Sequence, residues 1–184
     1  QKLLSSLFRK IKSDKYISKE LKGTLLEQVC ASIDLITIQA TKLSKLFTRK
    51  GNIDNWRIEG PFDSSYSLAI LNRCFADSLR TKVGKLSLHI TEGNGDYEPN
   101  LSYLKQYNNI YNLHKESINN ISQVEVLSRN LYPPRVKDMD AKFNLLHCYG
   151  WEESEFPMQW VDEFNTYLDG ITVMSKQVKD ILIN

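Results

Sequence analysis

Apolar residues recur along this chain in two rhythms. In the first fifty residues the spacing is helical: Leu3, Leu4, Leu7, Phe8 and Ile11 share one face of a first helix, with Lys2, Arg9, Lys10 and Lys12 around the rest. Ser18 is placed to cap a second helix with Leu21 and Leu25 on its buried side. That helix keeps a 3,4 spacing through Leu26, Val29, Ile33, Ile36, Ala40, Leu43 and Phe47 and ends near Gly51-Asn52, a seam of about three heptads. Such a seam either lies on the neighbouring domain or pairs with a second copy. The first reading is favoured, because an isolated seam this short is marginal.

After Gly51 the rhythm changes to strands alternating with helices. Trp56 to Glu59 reads as a strand, and Gly60 to Ser67 as a turn-rich connection. A helix follows in which Leu68, Leu71, Cys74/Phe75 and Leu79 share a face. Lys85 to Thr91 alternates as a second strand, Glu92 to Asp96 is a loop, and 101–119 repeats Leu101, Leu104, Tyr107 and Tyr111 at helical spacing. Val124 to Leu127 and Phe143 to Cys148 read as a third and fourth strand. Pro157 opens a helix through Trp160, Val161, Phe164 and Leu168, Gly170 to Val173 is a fifth strand, and Ser175 caps a last helix. Strands separated by helices predict an α/β protein whose parallel sheet is covered on both faces, preceded by an α-helical N-terminal extension.

Composition narrows the classes. With 41% hydrophobic and 25% charged residues in 184, the chain is globular in character and long enough for one domain and an appendage. Cys30, Cys74 and Cys148 are scattered and odd in number, which argues against a disulfide scaffold or a zinc site and for a reducing compartment. Charge is uneven: residues 1–50 carry 11 Lys and Arg against 4 Asp and Glu, whereas 51–184 carry 13 against 18. The basic leader lacks interleaved aromatics and glycine-rich segments, so nucleic acid is not the expected partner. No signal peptide is read at the start, since Arg9 and Lys10 break the first apolar cluster. The chain starts without Met and ends within a helical pattern, Val178, Ile181 and Leu182, which suggests a piece of something longer.

Ligands of open parallel sheets bind beyond the carboxyl ends of the strands. Four segments there carry functional groups. Gly60-Pro61-Phe62-Asp63-Ser64-Ser65-Tyr66 offers hydroxyls and amides at a helix start, suited to a phosphate or sugar hydroxyls, although a strand-to-helix turn needs such residues anyway. Glu92 and Asp96 can accept from hydroxyls or be plain solvated acids. Arg129 and Arg135 flank a rigid Pro-Pro and suit an anion, or form a salt bridge to the acidic segment after strand four. That acidic segment, Tyr149-Gly150-Trp151-Glu152-Glu153-Ser154-Glu155-Phe156-Pro157, sets an aromatic beside carboxylates. This suits a sugar, whose apolar face stacks on indole while carboxylates take its hydroxyls; the rival is acids placed before a helix. His147 within a strand reads as a core histidine, and His89 and His114 lack metal spacing. No Gly-x-Gly-x-x-Gly, Walker A or Gly-x-Ser-x-Gly motif is present.

Taken together, Ile58 to Ala69, Thr91 to Pro99, Arg129 to Arg135, and Trp151 to Pro157 with Trp160 to Asn165 resemble, in consistent order, bacterial glycosyltransferases of the family-four type. The resemblance covers about residues 55–184 and leaves the first fifty without a counterpart. It implies a GT-B architecture: 51–184 as the N-terminal Rossmann-like domain, which receives the acceptor, and a C-terminal donor-binding domain that this sequence lacks. It also implies transfer from a nucleotide sugar, as co-substrate, with retention of configuration and no metal or other cofactor. Many relatives have a glycine pair in the first loop where this chain reads Pro61-Phe62-Asp63-Ser64-Ser65.

The resulting expectation is the acceptor-side half of a retaining glycosyltransferase acting on a saccharide or lipid-linked acceptor, inactive by itself. Glu152 is expected to orient the acceptor hydroxyl, with Asp63, Ser64, Ser65, Tyr66, Glu92, Arg129, Arg135, Trp151 and Glu153 binding substrate. The expected location is the cytoplasm, in one version at the inner face of the membrane through residues 1–13. Two rivals stand beside it: a non-catalytic glycan- or protein-binding α/β module, and a small-molecule α/β enzyme of the epimerase or hydrolase kind.

Overall fold

The structure, a computed structural model, describes residues 2–31, 54–91, 98–119 and 124–183. The chain divides into two compact units, Gln1–Lys50 and Gly51–Asn184. In the first, helix α1 (Lys2–Ser13) ends where the Ser13 hydroxyl donates back to the Arg9 carbonyl at 2.9 Å. Ser18 Oγ then accepts from the Leu21 amide at 3.2 Å and starts α2, helical over 19–31, as the capping pattern predicts. Ile11 and Val29 are buried, but Leu21, in the first turn of α2, is 52% exposed; the packed side of this helix begins a turn later. The seam from Ile33 to Phe47 and its end at Gly51-Asn52 lie outside the described residues, as does Glu92.

The second unit is a Rossmann-like α/β fold built on five parallel strands in the order β2-β1-β3-β4-β5. In chain order they are β1 (Asn55–Gly60), β2 (Lys85–Ile90), β3 (Val126–Arg129), β4 (Phe143–Tyr149) and β5 (Gly170–Val173). Helix α3 (Ser67–Leu79) connects β1 to β2, α6 (Met158–Tyr167) connects β4 to β5, and α7 (Lys176–Ile183) follows β5. Ser175 Oγ caps α7 by accepting from the Val178 amide at 3.2 Å.

Two details depart from the sequence pattern. The run 101–119 splits into α4 (Leu101–Leu104) and α5 (Asn108–Asn119). The amides of Gln106 and Tyr107 bond to carbonyls three residues back, at Tyr103 and Leu104, which breaks the helical ladder. The third strand sits two residues later than Val124 to Leu127, so Arg129 belongs to the sheet. Its register partner on β1 is Glu59, and pairing with that carboxylate is what makes so polar a strand end stable in the interior.

Side chains alternate across the sheet. On one face Ile58 and Leu88 pack against Ala76 of α3 and Ile110 of α5. On the other, Leu127 and Leu146 pack with Phe164 and Leu168 from the α6 region. Helices therefore cover both faces.

Candidate functional site

The strand order reverses between β1 and β3, the place where an open α/β sheet leaves a crevice at its carboxyl edge. Gly60 ends β1 at φ +148°; a Cβ there would collide with the Asn130 carbonyl oxygen and the Asn72 amide nitrogen. Glycine at this point lets the chain after β1 lie against the chain after β3. Asn72, fully buried on α3, joins the two: its Nδ2 donates to the carbonyls of Pro61 at 3.0 Å and Asn130 at 3.1 Å. With both amide hydrogens spent, Oδ1 accepts from His147 Nε2 at 3.0 Å, so Nε2 carries the imidazole proton. His147 is 1% exposed and stacks on Phe75 with centroids 4.3 Å apart; burial lowers its pKa to about 3. It is a neutral core histidine, in keeping with its position inside a strand.

A cleft of about 400 Å³ opens at this reversal, lined by Ser67 and Leu68 at the start of α3, Asn130 after β3, and Tyr149, Trp151 and Glu152 at and after the end of β4. Glu153 also lines it. Helix α3 has no side-chain cap at its N-terminus. Tyr149 reaches the cleft through a bulge: Leu146 faces Ile171 but Tyr149 faces Val173, with Cys148 at φ 50° between them. Without the extra residue Leu146 and Tyr149, three apart, would lie on opposite faces; with it both join the core beside α6. Trp151 is locked from several sides. Its ring stacks on Phe156 at 4.9 Å, meets Trp160 edge-on at 5.3 Å, and its Nε1 donates to the Glu155 carbonyl at 3.0 Å. Glu152 and Glu153 are exposed.

The structure thus gathers Trp151, Glu152 and Glu153 at one cleft, and none of the other anticipated residues that it describes lines it. Arg129 is 3% exposed and does not line the cleft; its Nη2 pairs with Glu59 Oε2 at 2.5 Å and its Nη1 with Asp138 Oδ1 at 2.7 Å. Burial alone would lower its pKa, but the two carboxylates raise it above the ordinary arginine value. All its donors are spent, and the acids it meets are Glu59 and Asp138 rather than the segment after β4. Arg135 pairs with Asp138 at 3.4 Å and, with Arg129, lines a separate cavity of about 560 Å³ beside Arg57 and His89. Asp63 Oδ2 accepts from the Asn100 amide at 2.7 Å, holding two loops together. The Ser64 carbonyl accepts from Arg73 Nη1 at 2.6 Å, while Ser65 and Tyr66 are exposed.

Two cleft residues escaped the sequence reading. Asn130 is 1% exposed and Tyr149 2%, and neither Asn130 Nδ2 nor Tyr149 Oη has a hydrogen-bond partner among the described residues. Among those residues no group of three or more His, Cys, Asp or Glu is placed to hold a metal, and no helix is long and apolar enough to cross a membrane. The fold and site define a doubly wound parallel α/β domain with a polar, aromatic-walled crevice at its switch point. Compared with family models, curated proteins and solved structures, the chain matches none.

Proposed function

We propose that this chain is the acceptor-side half of a retaining glycosyltransferase, with its switch-point cleft receiving a saccharide or the sugar of a lipid-linked acceptor. The observation that carries this reading is the convergence of Trp151, Glu152 and Glu153 with the start of α3 on one crevice. A rigid indole offers a face for the C–H surface of a pyranose, and exposed carboxylates accept from its hydroxyls. The nucleotide sugar is held by a second domain across the cleft. Glu152 orients the acceptor hydroxyl. That oxygen bonds to the anomeric carbon as the bond from carbon to donor phosphate breaks, and the hydroxyl proton passes to the departing phosphate oxygen on the same face, retaining configuration. In this reading the enzyme is cytoplasmic, and the first helix, with Arg9 and Lys10 exposed beside Leu7, meets an anionic membrane surface where a lipid-linked acceptor is presented.

The test is transfer of labelled sugar by the protein that carries this chain, assayed over a set of nucleotide sugars with saccharide and lipid-linked acceptors. Turnover is expected in the wild type and a drop of about a hundredfold in Glu152→Gln with an unchanged melting temperature, the scale on which one hydrogen-bonding group that acts in the transition state contributes. Absence of transfer from every donor, or undiminished turnover in Glu152→Gln, contradicts the proposal.

A further inference from the structure

We infer that Asn130 and Tyr149 select the ligand of the switch-point cleft, and that the group they select is a neutral, hydroxyl-bearing one such as an uncharged sugar ring. The inference rests on the acceptor reading for its choice of a saccharide, but not on transfer itself. A buried donor without a partner is costly, and structures keep few of them. Here two stand in one cleft, Asn130 Nδ2 and Tyr149 Oη, on side chains at most 2% exposed. Neither position is forced by the fold's own bonding: Asn72 takes only the backbone carbonyl of Asn130, and the Tyr149 ring is already held by Phe156 and Phe164. Each polar end is unpaired but closed to solvent, so a ligand in the cleft meets it only as the cleft wall gives.

The charge around them sets its class. Among the described residues no Lys, Arg or His lines the cleft, and Glu152 and Glu153 place negative charge at its mouth. The cationic side chains that sequence alone assigned to substrate, Arg129 and Arg135, face the other cavity. A phosphate or carboxylate entering here meets like charge and finds no counter-ion, whereas a hydroxyl satisfies both sides: it accepts from Asn130 or Tyr149 and donates to a glutamate. A site built to hydrogen-bond a hydroxyl discriminates strongly against an analogue that lacks it, because its buried polar groups are then left unpaired.

The experiment titrates the isotope-labelled 184-residue chain with neutral methyl glycosides of glucose, galactose, mannose and N-acetylglucosamine, and in parallel with glucose 1-phosphate and methyl glucuronoside. Shifts are read at the Asn130 side-chain amide and the Trp151 indole. At least one neutral glycoside is expected to shift both signals, and its charged counterpart to bind at least about tenfold more weakly. Tyr149→Phe is expected to weaken that glycoside about tenfold while leaving the melting temperature equal or higher, since it deletes an unpaired buried hydroxyl. Asn130→Leu, which keeps the branched shape, is the second variant, with the same loss of affinity expected. A purely structural role for either residue would lower stability and leave the affinity of the folded protein alone. The inference fails if the anionic sugars bind as well as the neutral ones, if no glycoside shifts these signals, or if both variants bind as the wild type does. Failure of this selection with transfer intact leaves the transferase reading standing; selective binding without transfer leaves a glycan-binding module.

Discussion

Replacing Asn72 by Leu tests the polar staple on which the cleft is built. Leu keeps the branched shape and heavy-atom count of Asn, so the change deletes three hydrogen bonds without opening a cavity: those to the Pro61 and Asn130 carbonyls and that from His147, all between 3.0 and 3.1 Å. Each buried group left without a partner costs about 1–3 kcal/mol, and added apolar burial offsets about 1 kcal/mol, so a net loss of about 3–5 kcal/mol is expected. Against a total of about 5–15 kcal/mol that is a large share of the stability. Urea unfolding at pH 7.5, followed by tryptophan fluorescence, measures it. Combining Asn72→Leu with His147→Phe should cost at least about 1 kcal/mol less than the two singles added, because each single strands the other's partner. A loss below about 1 kcal/mol for Asn72→Leu, or strict additivity, would refute the idea that this staple holds the two strand ends together.

Three further outcomes are expected. Burial sets the His147 pKa at about 3 against an ordinary 6.5, so between those values the unfolded chain binds more protons and stability is complete above 6.5 and falls with pH; from pH 6.5 to 4.5 His147→Phe should lose about 2–3 kcal/mol less than wild type in urea titrations, and equal losses would contradict this. Arg129→Met leaves Glu59 buried and uncompensated and should cost about 3–5 kcal/mol of unfolding free energy while leaving the glycoside affinity of the folded protein unchanged, since Arg129 lines a separate cavity and not the cleft; a stable variant with weakened affinity would return Arg129 to the binding site. Anionic liposomes at low salt should sediment the chain and release it when residues 1–13 are deleted, and sedimentation of neither form rules out membrane contact through the first helix.

Much of the fold was legible because its signals are periodic. The 2.0 rhythm of Lys85 to Ile90 and the glycine before Ile171 marked strands almost to the residue, and Ser18 and Ser175 announced helix starts that their hydroxyls do cap. The face of α3 was legible only in part. Of the apolar stripe Leu68, Leu71, Cys74/Phe75 and Leu79, Phe75 and Leu79 pack on the core, yet the deepest positions are Ala69, Asn72, Arg73 and Ala76, because small residues allow close approach to the sheet and polar ones bind the loops after β1 and β3. An asparagine four residues before Ala76 and three before Phe75 was the available signal, and it is a weak one. In the site, Trp151 and the glutamates were readable as a local cluster at a strand end. Arg129 was not, since only the register of β3 on β1 sets it against Glu59. Tyr149 depends on a bulge at Cys148 that no spacing rule foretells.

The central claim is that a saccharide binds at the reversal of strand order and not in the larger charged cavity on the sheet face. Photo-crosslinking addresses it directly: the protein is irradiated with a diazirine-bearing neutral glycoside, digested, and the modified residues are mapped by mass spectrometry. The account predicts labels within 149–153 and at Ser67 or Leu68, suppressed by excess unlabelled glycoside. Labels concentrated on Arg57, His89 or Arg135, or labelling that excess glycoside does not suppress, would contradict it.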